Sequence, residues 1–278
     1  MAIKSLLYSY LLELLSIYTI KSELTSIKTK KFPLHKVKNQ PKKNSRVLYI
    51  SGVAVGLAKS DHQRGMEIAS GIACHLSAIA RDVVSVQIVP PGWIYLELTD
   101  LFLAAWLQSL VNSGVGRDND RGQGKITIQN QSCLFAIQYA HARCYSLVQL
   151  AHGEGLIKLK EPTADKSRLF PDQPIPWLED EQKFRLNHPA EGEVISKLVE
   201  VIDNLESPDL SGAVNWEKIS LDLSQAFEAF WCQCRILGKK EISSPELAQA
   251  RLGLIIATQS VLKRLLVNKF GAFAPVEL

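Results

Sequence analysis

The sequence predicts an α+β protein: a small N-terminal domain built on a short antiparallel sheet, followed by an all-α helical bundle. Three observations carry this. Residues 83–89 (VVSVQIV) and 93–98 (WIYLEL) are β-branched and aromatic runs with alternation, and they flank the turn Pro90, Pro91, Gly92. Apolar residues from 135 to 151 recur at gaps of three and four, which is the period of a helix with a broad buried face. No strand pattern appears after Ile128, whereas three more long helical segments do.

Taken in order, residues 3–25 form a helix with Leu6, Leu7, Leu11, Leu14 and Leu15 on its apolar face. Residues 27–46 are polar and basic and contain Pro33 and Pro41, so they are expected to form a mobile loop. Residues 47–59 begin apolar and pass through Gly52 into small residues. Residues 65–79 are helical, with Met66, Ile68, Ala69, Ile72, Leu76 and Ile79 sharing a face. After the hairpin, 101–111 is a helix with Thr99 or Asp100 as its N-cap. Residues 113–129, rich in Gly, Asn and Asp, read as a linker between a first domain, 1–112, and a second, 130–278.

Within the second domain, Gln138, His141 and Arg143 interrupt the apolar face of the 135–151 helix and need partners if buried. The stretch 152–182, with four prolines, is an irregular loop. Helices follow at 188–205, 216–237 and 245–268. The last opens with Ser244 as N-cap, Pro245 in the first position and Glu246 in the first turn.

Charge is unevenly placed. Residues 1–46 hold ten lysines and arginines against two glutamates, a net +8 that leaves −4 on the rest of a +4 chain. A basic segment on a mildly acidic body suits phosphate or another acidic surface, with a solvated lysine-rich loop as the alternative. Five cysteines without a CxxC pair argue against a disulfide framework and against a zinc site, so an intracellular, cytoplasmic protein with reduced thiols is expected. The apolar run from Leu6 to Ile20 contains Glu13 and is too short to span a bilayer.

Several motifs resemble arginyl-tRNA synthetases. QYAHAR (138–143) is similar to the opening of their DALR anticodon-binding domain. LSQAFEAFWCQCRILG, ARLGLIIATQSVLKRLL and the terminal GAFAPVEL are similar to later motifs of that domain, at matching spacing. In the N-terminal half, YISGVAVGLAK, EIASGIACHL and PPGWIYLELTDLFLAAWL resemble, in order, stretches of that family's N-terminal additional domain. The final Leu278 stands where the family usually has Met. The resemblance implies contact with the tRNA D-loop at the hairpin tip and with the anticodon in the helical domain. It implies RNA-binding roles for Trp93 and Tyr95, where Tyr95 replaces an amide, and for Gln138, Tyr139, Arg143, Trp231, Arg235 and Arg251. Trp93 packing on its own hairpin, a core role for Tyr139 or Trp231, and salt bridges within the bundle for the arginines are the alternatives.

The chemistry of a class I synthetase is absent from the sequence. It contains neither a His-x-Gly-His motif nor a Lys-Met-Ser-Lys loop. It also lacks a GxxxxGK phosphate loop, a GxGxxG fingerprint, a GxSxG elbow and an HExxH pair. The expectation is therefore a non-catalytic tRNA- or RNA-binding protein with no cofactor, no metal and no membrane span. A regulatory module that has reused the fold to bind a protein partner, and lost RNA, is the second reading. An aminoacylating enzyme is the third.

Overall fold

The structure, a computed structural model, describes residues 1–21, 32–37, 47–58, 62–112, 126, 128, 130–160, 169–210, 212–237 and 244–277. Most of the basic stretch 27–46 and of the expected linker 113–129 lies outside them. The described chain divides into two units, Met1–Leu103 with Asp203–Ser211, and Ala104–Ile202 with Gly212–Leu278. The architecture is α+β, with one small antiparallel sheet and a predominantly helical second half.

In the first unit the strands β1 (Leu34–Lys36), β2 (Leu48–Ser51), β3 (Val84–Val89) and β4 (Trp93–Leu98) form an antiparallel sheet in the order β1-β2-β4-β3. β1 corrects the reading of 27–46 as loop throughout. It pairs through Leu34↔Ser51 and His35↔Ile50, and Leu34 is buried. The β3–β4 hairpin forms as expected, with Val89 opposite Trp93. Period two along β4 buries Ile94, Leu96 and Leu98 and turns Trp93, Tyr95 and Glu97 the other way.

Three helices, α1 (Ile3–Lys21), α2 (Val53–Ala58) and α3 (His62–Ile79), complete this unit. Leu7, Leu11 and Leu14 of α1 and Ala69, Ile72 and Leu76 of α3 are buried. Tyr49 of β2 is fully buried, and its hydroxyl donates to Asp203 Oδ2. Asp203 Oδ1 accepts from the Lys4 backbone N–H at 2.9 Å, so one buried carboxylate ties β2 to the start of α1.

The hairpin tip lies against the first turn of α3. A Cβ on Gly65 would sit 2.6 Å from the Pro91 carbonyl, and one on Gly92 would sit 2.8 Å from the Gly65 carbonyl. Gly92 also has φ +130°, where only glycine is at ease. Gly92→Ala is therefore expected to destabilise the fold by about 2 kcal/mol through backbone strain. The shift of the urea midpoint measures it.

The second unit holds most of α4 (Asp100–Asn112) and four further helices. These are α5 (Gln131–Gly153), α6 (Pro189–Glu206), α7 (Trp216–Gln233) and α8 (Pro245–Arg264). Thr99 caps α4, its Oγ1 accepting from Phe102 N. Side chains of Asn130, Asn215 and Ser244 cap α5, α7 and α8 by accepting first-turn amides, so the expected cap of α8 is met. α8 is buried on every side from Leu252 to Gln259, and α5 packs against both α7 and α8. Such an all-round apolar helix belongs at the centre of a bundle.

The long loop after α5 is held by specific contacts. Gln108 Oε1 accepts from Ile175 N and from Trp177 Nε1, both at 3.0 Å. Trp177 and Ile175 press on Gly253, where a Cβ would lie 2.8 Å or less from each of them. Past α8 the chain makes a π-helical turn, Leu265–Lys269, and reverses at Gly271, whose φ is +60°. Among the described residues, no helix is long and apolar enough to cross a membrane.

Candidate nucleic-acid interface

α5 supplies both the frame and the surface of the candidate site. The three polar residues that interrupt its apolar face, Gln138, His141 and Arg143, each find a partner. Gln138 Nε2 donates to the Phe273 carbonyl at 2.8 Å. His141 is fully buried; its Nδ1 bonds the Pro275 carbonyl at 2.7 Å, and its Nε2 faces Gln259 Nε2 at 3.0 Å. The neutral tautomer protonated on Nδ1 satisfies both contacts, donating to Pro275 and accepting from the amide. The two side chains, one turn apart, thus pin the segment after Gly271 along α5.

On another side of the same helix, Phe135, Tyr139 and Arg143 stand four residues apart and therefore in a row. Phe135 is 58% exposed and Tyr139 44% exposed, and their rings stack at 6.3 Å between centroids. The Arg143 guanidinium lies over the ring of Trp231, on α7, at 4.6 Å from its centroid. Both residues are half-buried. The charge is thereby held against an aromatic face. The result is a row of flat rings ending in a cation.

Arg251 has a different setting. Its Nε pairs with Glu191 Oε1 at 2.7 Å, and Nη1 donates to the Arg235 carbonyl at 2.7 Å. The bundle salt bridge weighed from the sequence is thus formed here. Glu191 is only 1% exposed, and its second oxygen accepts from His188 N at 2.8 Å, capping α6. Cys234 lies beside the same carboxylate. Burial first, then the Glu191 charge, pushes its thiol up to about 12. The Arg235 side chain itself is exposed. Cys232, in the last turn of α7, is exposed, and Cys234, just past it in extended backbone, is buried.

Of the remaining candidates, Trp93 and Tyr95 share the outward face of β4 in the first unit. Trp93 is 37% exposed, and its ring edge lies where a Cβ on Gly52 would be, 2.7 Å away, so part of it packs on the chain at the end of β2. The sequence reading did not single out Phe135, Phe273 or Glu191. Phe135 shares the i, i+4 spacing of Tyr139 and Arg143, which was visible in the sequence. Glu191 three residues after His188, at a helix start, was a capping signal.

Two stability tests follow from these contacts. Removing one partner of a buried pair leaves the other uncompensated, so Glu191→Gln is expected to cost about 3 kcal/mol in chemical denaturation. The Glu191→Gln, Arg251→Met double variant is expected to recover part of that loss.

For His141, burial lowers the pKa, the Pro275 carbonyl opposes it, and Lys263 lowers it further. The unfolded chain, with its ordinary value of 6.5, then takes up the proton first as pH falls. This contribution to stability is whole above about pH 6.5 and declines below it, by at most about 1.4 kcal/mol per pH unit. Denaturation from pH 7.5 to 5 is expected to show that slope, and His141→Gln to flatten it.

Comparison with known proteins matches this unit. Residues 137–267 match the DALR anticodon binding domain. The chain is 33% identical over 138 residues to the arginine–tRNA ligase of Ruminiclostridium cellulolyticum, covering 49% of this chain and 21% of that one. It is 30% identical over 148 residues to the ligase of Moorella thermoacetica, covering 51% and 22%. With the Frankia alni ligase it shares 28% identity over 193 residues, covering 67% and 32%. The chain thus spans between about a fifth and a third of the length of these curated relatives. No solved structure matches significantly. Residues 137–267 thus resemble a DALR anticodon binding domain, and between about half and two thirds of the chain is similar to part of these arginine–tRNA ligases.

Proposed function

We propose that this chain binds tRNA or a similarly structured RNA without aminoacylating it. The observation that carries the reading is the row of exposed Phe135 and Tyr139 and half-buried Arg143, with Trp231 under the arginine, on a helix of which all but the first residues match an anticodon binding domain. Unpaired bases stack on such rings at about 1–3 kcal/mol each, and a guanidinium edge suits phosphate. In this reading Gln138 acts by holding the segment after α8. Arg235, exposed at the end of α7, is a further phosphate contact. Arg251 contributes mainly by fixing the backbone at Arg235.

Trp93 and Tyr95 provide a second contact, of the D-loop-binding type, in an N-terminal domain of residues 1–112. A linker, 113–129, leads to the anticodon-binding domain, 130–278. The sequence holds neither class I signature, which supports a role without ATP chemistry. In this reading the chain works in the cytoplasm and needs no cofactor and no metal.

A filter-binding assay with total tRNA tests the proposal. Binding is expected at low salt, with log affinity falling linearly against log salt as phosphate contacts release counterions. Tyr139→Ala and Arg143→Ala are each expected to weaken it by about 1–3 kcal/mol. No binding at low salt would remove the RNA reading and favour a protein partner for the same face. Arginine-dependent ATP–pyrophosphate exchange would remove the non-catalytic reading.

A further inference from the structure

Next to the row on α5, Gln138 holds the backbone of a further exposed aromatic residue, Phe273. We propose that Phe273 is a ligand-contacting residue of the same face, a stacking partner for an unpaired nucleobase, and that Gln138 is the residue that positions it. The inference rests on the RNA-binding reading above.

Phe273 is 76% exposed, the most exposed large hydrophobic side chain among the described residues. Its backbone is not loose. The chain reverses at Gly271, and Ala272 N donates to the Leu266 carbonyl at 2.8 Å. Gln138 takes the Phe273 carbonyl, His141 takes that of Pro275, and Ala274 and Pro275 are buried. The segment is fixed on both sides of a phenyl ring that is left in water.

Helix geometry places this ring. Each residue of α5 turns by about 100°. Going round the helix, Arg143 and Tyr139 come first, then Phe135, then Gln138, then His141. Trp231 borders the row on the Arg143 side, and the Gln138-bound segment borders it on the Phe135 side. Phe273 therefore extends the aromatic surface away from the cation. Flat rings bind any base through its π face, but only a base that has left its own stack. The ligand chemistry is thus a single-stranded loop rather than a duplex.

Fluorescence anisotropy tests this with two labelled RNAs, a stem–loop with a seven-nucleotide loop and a duplex of the same stem. Phe273→Ala is expected to weaken stem–loop binding by roughly 5- to 100-fold, leaving duplex binding and the thermal midpoint unchanged. Gln138→Met is expected to weaken the stem–loop similarly in the parent and to add nothing in the Phe273→Ala background. A purely structural role for Gln138 would instead weaken binding in both backgrounds. If the parent binds the stem–loop and Phe273→Ala binds it as tightly, this proposal fails while the RNA reading stands. Equal weakening toward stem–loop and duplex also overturns it. If the parent binds neither RNA at low salt, the RNA reading itself fails.

Discussion

A carboxylate inside an apolar bundle must be paired or it will not stay charged, and Glu191 is paired with groups from three directions. It caps the start of its own helix at His188, holds the Arg251 guanidinium of α8, and sits beside the Cys234 thiol where α7 ends. Arg251 carries the link onward to the Arg235 carbonyl. Three helices are thereby locked at one point. The last turn of α7, which carries Trp231, is among the parts so placed. The ion pair joins α6 to α8, and the Arg235 carbonyl ties the end of α7 to it by a directional bond.

α5 applies a related economy to a single helix. Its small and aliphatic residues face α7 and α8. Gln138 and His141 turn polar groups toward the returning chain, Phe135 and Tyr139 are left for solvent, and Arg143 lies half-buried over Trp231. Since the polar groups on the inner sides are satisfied, the outer row is the part of the helix not explained by folding. Large aromatic side chains in water gain nothing for stability, which is why they carry the functional argument.

The sequence made some of this legible and hid the rest for identifiable reasons. The caps of α8 and the hairpin at Pro90–Gly92 are local signals, and the structure forms both. α5 was visible through its period alone. β1 was not, because three residues in a basic, proline-containing stretch carry no pattern, and the strand exists only through pairing with β2, about fifteen residues later. The loop after α5 read as irregular. The contacts that hold its described residues come from distant positions, among them the Gln108 amide and the space left by Gly253. At the site, the spacing of Tyr139 and Arg143 on a helix could be read directly. The pairing of Arg251 with Glu191 could not, since sixty residues separate them. Phe273 was concealed most completely: a phenylalanine near a chain end gives no sign of whether it packs or projects.

The central claim is that unpaired nucleotides lie along the α5 row, and photo-crosslinking reads that contact directly. Irradiation of the full chain with bound tRNA, followed by mass spectrometry of nucleotide-bearing peptides, is the measurement. The account predicts adducts on Tyr139 and on the neighbouring aromatics Phe135, Trp231 or Phe273. Adducts confined to other surfaces, with the α5 and α7 peptides unmodified, would contradict it.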